Sequence, residues 1–97
     1  MTEKNQYVVC ALYQFVKISD LEALKTELRI LFEDHMIRGT ILIAHEGING
    51  TVSGKRESID SLLNFLKDKG FLRLSIKESI SSEIPFLRSK VKIKPEI

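Results

Sequence analysis

Disulfide bonding, membrane insertion and metal chelation have little to work with in this chain. Its single cysteine, Cys10, cannot form an intrachain disulfide, which suits a reducing compartment. Tryptophan is absent and aromatic residues make up only 7% of the 97 residues. The aromatic-rich pattern by which RNA-recognition motifs stack bases is therefore missing. The start, Met1-Thr2-Glu3-Lys4-Asn5-Gln6, lacks the apolar core of a signal peptide. No apolar run approaches the ~20 residues needed to cross a bilayer, so a cytoplasmic protein is expected. The only histidines are His35 and His45, and no His/Cys/carboxylate cluster has metal-ligand spacing. Neither a metal nor a cofactor is expected.

What is present describes one globular domain spanning residues 1–97. Hydrophobic residues are 43% and charged residues 29%, a balance typical of folded rather than disordered chains. A domain of this length buries roughly two-thirds of its unfolded surface. The net charge of +2 is unevenly placed. Residues 85–97 hold Arg88, Lys90, Lys92 and Lys94 against Glu96 alone, whereas residues 1–84 carry eleven basic and twelve acidic side chains. Such asymmetry points to an anionic partner or to a segment leading into another domain.

Tyr7 to Phe15 is an apolar run with β-branched and aromatic members and reads as a buried strand. Ser19-Asp20-Leu21-Glu22 has the form of a capping box with Ser19 as the cap. Leu21, Leu24, Leu28 and Leu31 then recur at helical spacing to about His35, with Arg38-Gly39 marking the end. Thr40–Ala44 reads as a second strand. Asn49-Gly50 is a strong hairpin dipeptide, although Gly47 offers an earlier turn and leaves the register open. Thr51–Ser53 belongs to a third strand, broken by Gly54. Ile59, Leu62, Leu63 and Leu66 mark a second helix, ended by Lys67, Lys69 and Gly70. Leu72–Ile80 reads as a fourth strand and Phe86–Ile93 as a final extended segment. The order β-α-β-β-α-β plus a C-terminal extended segment predicts an α+β, ferredoxin-like fold, with two helices on one face of an antiparallel sheet. The other sheet face would be open to a partner. The seven aromatic residues mostly fall where a core would take them.

Four local features bear on chemistry. The glycines of Gly47-Ile48-Asn49-Gly50-Thr51-Val52-Ser53-Gly54-Lys55 have the wrong spacing for a phosphate loop and serve hairpin geometry better. Asn49-Gly50-Thr51 matches a glycosylation sequon, which means nothing without secretion. His45 and Glu46 sit side by side as an acid/base pair would, or as a solvated turn would. Cys10, within an apolar strand and without flanking cations, reads as a small hydrophobe rather than a nucleophile. In Arg88-Ser89-Lys90-Val91-Lys92-Ile93-Lys94, alternation puts Arg88, Lys90, Lys92 and Lys94 on one face if the segment is extended. That row repeats every ~6.6 Å, close to the spacing of phosphates along a nucleic-acid strand, and it also suits a charged edge strand.

Two stretches carry a resemblance. Gly39-Thr40-Ile41-Leu42-Ile43-Ala44-His45-Glu46-Gly47-Ile48-Asn49-Gly50-Thr51-Val52-Ser53-Gly54 is one, and Pro85-Phe86-Leu87-Arg88-Ser89-Lys90-Val91-Lys92-Ile93-Lys94-Pro95-Glu96-Ile97 is the other. In this order they resemble the amino-terminal, acylphosphatase-like domain of the rhodanese-related tRNA uridine hydroxylase (TrhO) family. The resemblance implies a parent protein in which a rhodanese domain follows and supplies the reactive cysteine. It implies an oxygen-dependent oxidoreductase that converts the wobble uridine of tRNA to 5-hydroxyuridine. This chain alone then carries no catalytic residue, and Cys10 does not match the reactive position. Arg88, Lys90, Lys92 and Lys94 become candidates for tRNA binding. His45, Glu46 and Asn49 become candidates for a surface facing the rhodanese domain or its active site. The glycine-rich loop and arginine that hold phosphate in acylphosphatases are missing after the first strand, so acyl-phosphate hydrolysis is not expected. The competing expectation is a structural module that packs on the rhodanese domain without touching RNA, or a free-standing binding domain. The oligomeric state is left open.

Overall fold

The computed structural model describes residues 6–97. The elements follow in the order β1 (Tyr7–Phe15), α1 (Leu21–His35), β2 (Arg38–Ala44), β3 (Gly47–Gly54), α2 (Arg56–Asp68), β4 (Ser75–Ser81) and β5 (Ser89–Ile93). The sheet order is β4-β1-β3-β2-β5. The first four strands pair antiparallel, and β5 adds in parallel to the outer edge of β2. This is the expected α+β, ferredoxin-like arrangement, with the extended C-terminal segment as its fifth strand.

Both helices cover one face. α1 lies against β2 and β5, and α2 against β1 and β3. α1 contributes Leu24, Leu28 and Phe32, and α2 contributes Ile59, Leu62 and Leu66. They close over Val8, Cys10, Leu12, Ile41, Ile43, Ile48, Val52 and Val91 from the strands. Burial of that apolar surface is the main stabilising term. Ser58, buried in the first turn of α2, donates its hydroxyl to the His35 carbonyl at 2.9 Å, tying the start of α2 to the end of α1.

Several boundaries differ from expectation for physical reasons. The cap of α1 is Asp20, not Ser19: the Asp20 carboxylate accepts from the Ala23 N–H at 3.0 Å, and the helix starts one residue later than the capping box implies. The helix ends at Met36, which adopts a left-handed conformation (φ 54°); Arg38 and Gly39 already belong to β2. The β2–β3 turn is His45-Glu46, with Ala44 opposite Gly47. Asn49 and Gly50 lie inside β3. Gly50 is there for close approach, since a Cβ would come within 2.4 Å of the Thr40 carbonyl oxygen. β4 starts at Ser75 rather than Leu72. Leu72 N–H folds back to the Gly70 carbonyl, and Arg73 N–H donates to the Gln14 side chain at 3.0 Å, so this stretch is a turn.

Candidate functional site

Strand alternation divides the sheet into two chemically different faces. In β1, Val8, Cys10 and Leu12 enter the core, so Tyr7, Val9, Ala11, Tyr13 and Phe15 take the opposite, helix-free face. The pairing registers extend that face across the sheet in transverse rows. One row reads Ser75, Tyr13, Asn49, Leu42, Lys92 from β4 to β5. The next reads Lys77, Ala11, Thr51, Thr40, Lys90, and the third Ser79, Val9, Ser53, Arg38. The pattern has a plain electrostatic meaning. Lys77, Arg38, Lys90 and Lys92 occupy the open face, and among the described residues no strand position there is a carboxylate. Glu78, among the described residues the one acidic side chain within a strand, stands opposite Cys10 and so points to the helix side. There it receives a bidentate pair from Arg56 at 2.9 and 3.0 Å.

The C-terminal basic run lies along β5. Val91 faces the core and is buried, while Arg88, Lys90, Lys92 and Lys94 are all exposed. Lys90 stands opposite Thr40 and Lys92 opposite Leu42. The run is anchored at both ends through its backbone. Gly39 N–H donates to the Arg88 carbonyl at 2.7 Å, and Lys94 N–H donates to the Ile43 carbonyl at 2.8 Å. The β4–β5 connection must cross from one sheet edge to the other. It lays Ile84 beside Tyr7, Arg38 and Ser53. It also lays the half-buried Phe86 beside Thr40, Leu42, Asn49 and Thr51, around a cleft of about 260 Å³.

The hairpin residues do not act as one group. His45 donates Nδ1–H to the Ile18 carbonyl at 2.8 Å; only this tautomer suits a carbonyl acceptor. Glu46 accepts from the Ile97 N–H at 3.1 Å. Each side chain thus holds a different backbone segment, and the two are not hydrogen-bonded to one another. Asn49 is separate from both, exposed in the middle of the open face beside Tyr13. Cys10 is fully buried, and burial pushes its thiol up to about 11, with the Glu78 charge adding to the effect. No group of three or more His, Cys, Asp or Glu among the described residues is placed to hold a metal ion.

The β1–α1 loop is already committed to the β2–β3 hairpin. Val16 N–H donates to the Glu46 carbonyl and Ile18 N–H to the His45 carbonyl, both at 2.9 Å. These two amides are therefore not free to cradle an anion, in line with the missing glycine-rich loop.

Sequence reasoning missed the aromatic side chains of the open face. Phe32 and Phe71 do enter the core, but Tyr13 is 48% and Phe15 67% exposed. The signal that could have found them is the parity of β1: once Cys10 is inside, Tyr13 and Phe15 must be outside. A run apolar on both faces hides that alternation.

Fold and site together define an acylphosphatase-like α+β domain with an open, cationic sheet face. The chain belongs to the UPF0176 acylphosphatase-like domain family, which matches residues 7–97; this is the amino-terminal domain found in the TrhO family. Similar solved structures include a BlrP1 BLUF domain (17% identical, TM-score 0.69, 95% of this chain and 66% of that one). Full-length HypF in its phosphate- and nucleotide-bound form is another (12%, 0.64, 90% and 12%). An acylphosphatase from Coxiella burnetii aligns over nearly its whole length (18%, 0.56, 94% and 95%). At these identities the likeness is one of fold. The chain spans under two-thirds of the BLUF chain and about an eighth of HypF. No helix among the described residues is long and apolar enough to cross a membrane.

Proposed function

We propose that this domain is the accessory RNA-binding part of a rhodanese-related oxidoreductase that hydroxylates the wobble uridine of tRNA to 5-hydroxyuridine. It would hold the anticodon arm by its phosphates in the cytoplasm, and the chemistry would belong to a rhodanese domain that follows it. The observation that carries this reading is charge segregation. Arg38, Lys77, Lys90 and Lys92 share the helix-free face with no strand carboxylate among them, and Lys94 extends the row. A ribose-phosphate backbone is the partner such a face attracts most generally. Family membership adds weight, since the same domain occurs in TrhO proteins.

The test is tRNA binding by the chain as a function of salt. Replacing Lys90, Lys92 and Lys94 with alanine should weaken binding and flatten the plot of log K against log salt by about 0.7–0.9 per phosphate contact removed. Absent binding, or binding indifferent to salt, would reject the proposal.

A further inference from the structure

We infer that the open face takes single-stranded RNA and stacks unpaired bases on Tyr13 and Phe15. This rests on the RNA-binding reading above and adds what the face recognises. Two observations carry it. The first is where the aromatic rings are. Tyr13 and Phe15 lie on β1, an interior strand of the sheet, yet they are 48% and 67% exposed. Folding gains little from large rings left in water. Their centroids are 6.0 Å apart and their planes meet at 80°, so they form a corner. A base laid flat on one ring turns its edge toward the face of the other, an arrangement that aromatic quadrupoles favour.

The second observation is what frames the corner. Asn49 flanks Tyr13 on β3 and Ser75 flanks it on β4. An exposed amide offers two donors and an acceptor to a base edge. Lys77 lies one residue pair away on β4, and Lys92 ends the Tyr13 row on β5. Cations thus stand on both sides of the rings. Stacking surface in the middle and phosphate ligands at the margins is the plan of a single-strand binding face. A duplex keeps its base faces inside its own stack, so it would meet the lysines and leave the rings unused. The Phe86 cleft, floored by Thr40, Thr51 and Asn49, is large enough to take one further base.

The experiment compares a fluorescein-labelled single-stranded oligouridine with an RNA duplex of equal length, by anisotropy, on the 97-residue chain. Tighter binding of the single strand is expected. Tyr13→Ala and Phe15→Ala should each lower single-strand affinity about fivefold or more, leave the salt slope unchanged and leave duplex binding alone. Tyr13→Phe should retain most of the affinity, and Tyr13→Leu should not. Because both rings are exposed, thermal melts of the variants should match the parent. If single strand and duplex bind equally and the alanine variants behave as wild type, the inference is wrong while phosphate binding survives. If neither RNA binds, the underlying reading goes too. If the variants bind RNA normally but fail to associate with an added rhodanese domain, the rings serve interdomain packing and the inference is overturned.

Discussion

His45 and Ile18 hold each other through two hydrogen bonds that run in opposite directions. Ile18 N–H donates to the His45 carbonyl at 2.9 Å, and the His45 ring donates Nδ1–H back to the Ile18 carbonyl at 2.8 Å. The β1–α1 loop is thereby fixed to the β2–β3 hairpin, with Ile18 itself buried. Replacing His45 with alanine leaves a part-buried carbonyl without its donor, so a loss of about 1–2 kcal/mol is expected. Urea denaturation should show a lower midpoint at unchanged slope. A midpoint equal to the parent's would mean that water replaces the imidazole freely.

The same clamp bears on acyl-phosphate chemistry. With the Val16 and Ile18 amides bonded to the hairpin carbonyls, two backbone donors of the loop that follows β1 are already taken. The chain should show no turnover of benzoyl phosphate above background in a spectrophotometric assay. Measurable turnover would overturn that expectation.

Glycines of similar appearance should respond very differently to an added methyl group. At Gly50 a Cβ would sit 2.4 Å from the Thr40 carbonyl oxygen and 2.8 Å from the Ile41 Cα, both backbone atoms. At Gly54 the nearest atom is the Ser58 Cβ at 3.4 Å. Gly50→Ala is expected to cost about 2–3 kcal/mol or to prevent folding, and Gly54→Ala to change stability by about 0.5 kcal/mol at most. Thermal melts of the two variants side by side would decide it, and similar midpoints would contradict the packing described here.

The Arg56–Glu78 pair predicts a pH-dependent difference. The Arg56 hydrogen bonds hold the Glu78 carboxyl below its ordinary value. A carboxyl depressed on folding adds stability above its unfolded pKa and loses it as pH falls through the folded one. Glu78→Gln should therefore lower the melting temperature slightly at pH 7, within the ~0–1 kcal/mol range of surface pairs. The gap from the parent should close in strong acid. A gap that persists there would assign the effect to packing rather than charge.

Cys10 gives a probe of opening. Full burial and a thiol raised to about 11 leave almost no exposed thiolate at neutral pH. Alkylation by iodoacetamide at pH 8 should be negligible in buffer and rapid in denaturant. Fast labelling of the native chain would show that the centre of the sheet opens.

The helices and strands could be read because their apolar periods are strong. Leu24 and Leu28 in α1, and Ile59, Leu62 and Leu66 in α2, mark buried stripes that the structure reproduces. The turn was harder, because Asn49-Gly50 has hairpin chemistry yet Gly50 serves a close backbone contact. That need comes from Thr40 across the sheet, and no local pattern reports it. The basic run of β5 was legible from its alternation. Arg38 and Lys77 were not, because they join its face only through strand pairings, which for Lys77 run across all five strands. Tyr13 and Phe15 were obscured by the apolar side chains interleaved with them.

The parallel partnership of β5 with β2 also has a kinetic consequence. Gly39 pairs with Ser89, contacts fifty positions apart, and the intervening chain includes β3, α2 and β4. Loop closure over that span is entropically slow, so the antiparallel strands should assemble first and β5 should dock onto a preformed edge. Until that last addition, the lysine row has no sheet to stand on. Lys90 and Lys92 would then reach their places beside Thr40 and Leu42 only at the end of folding.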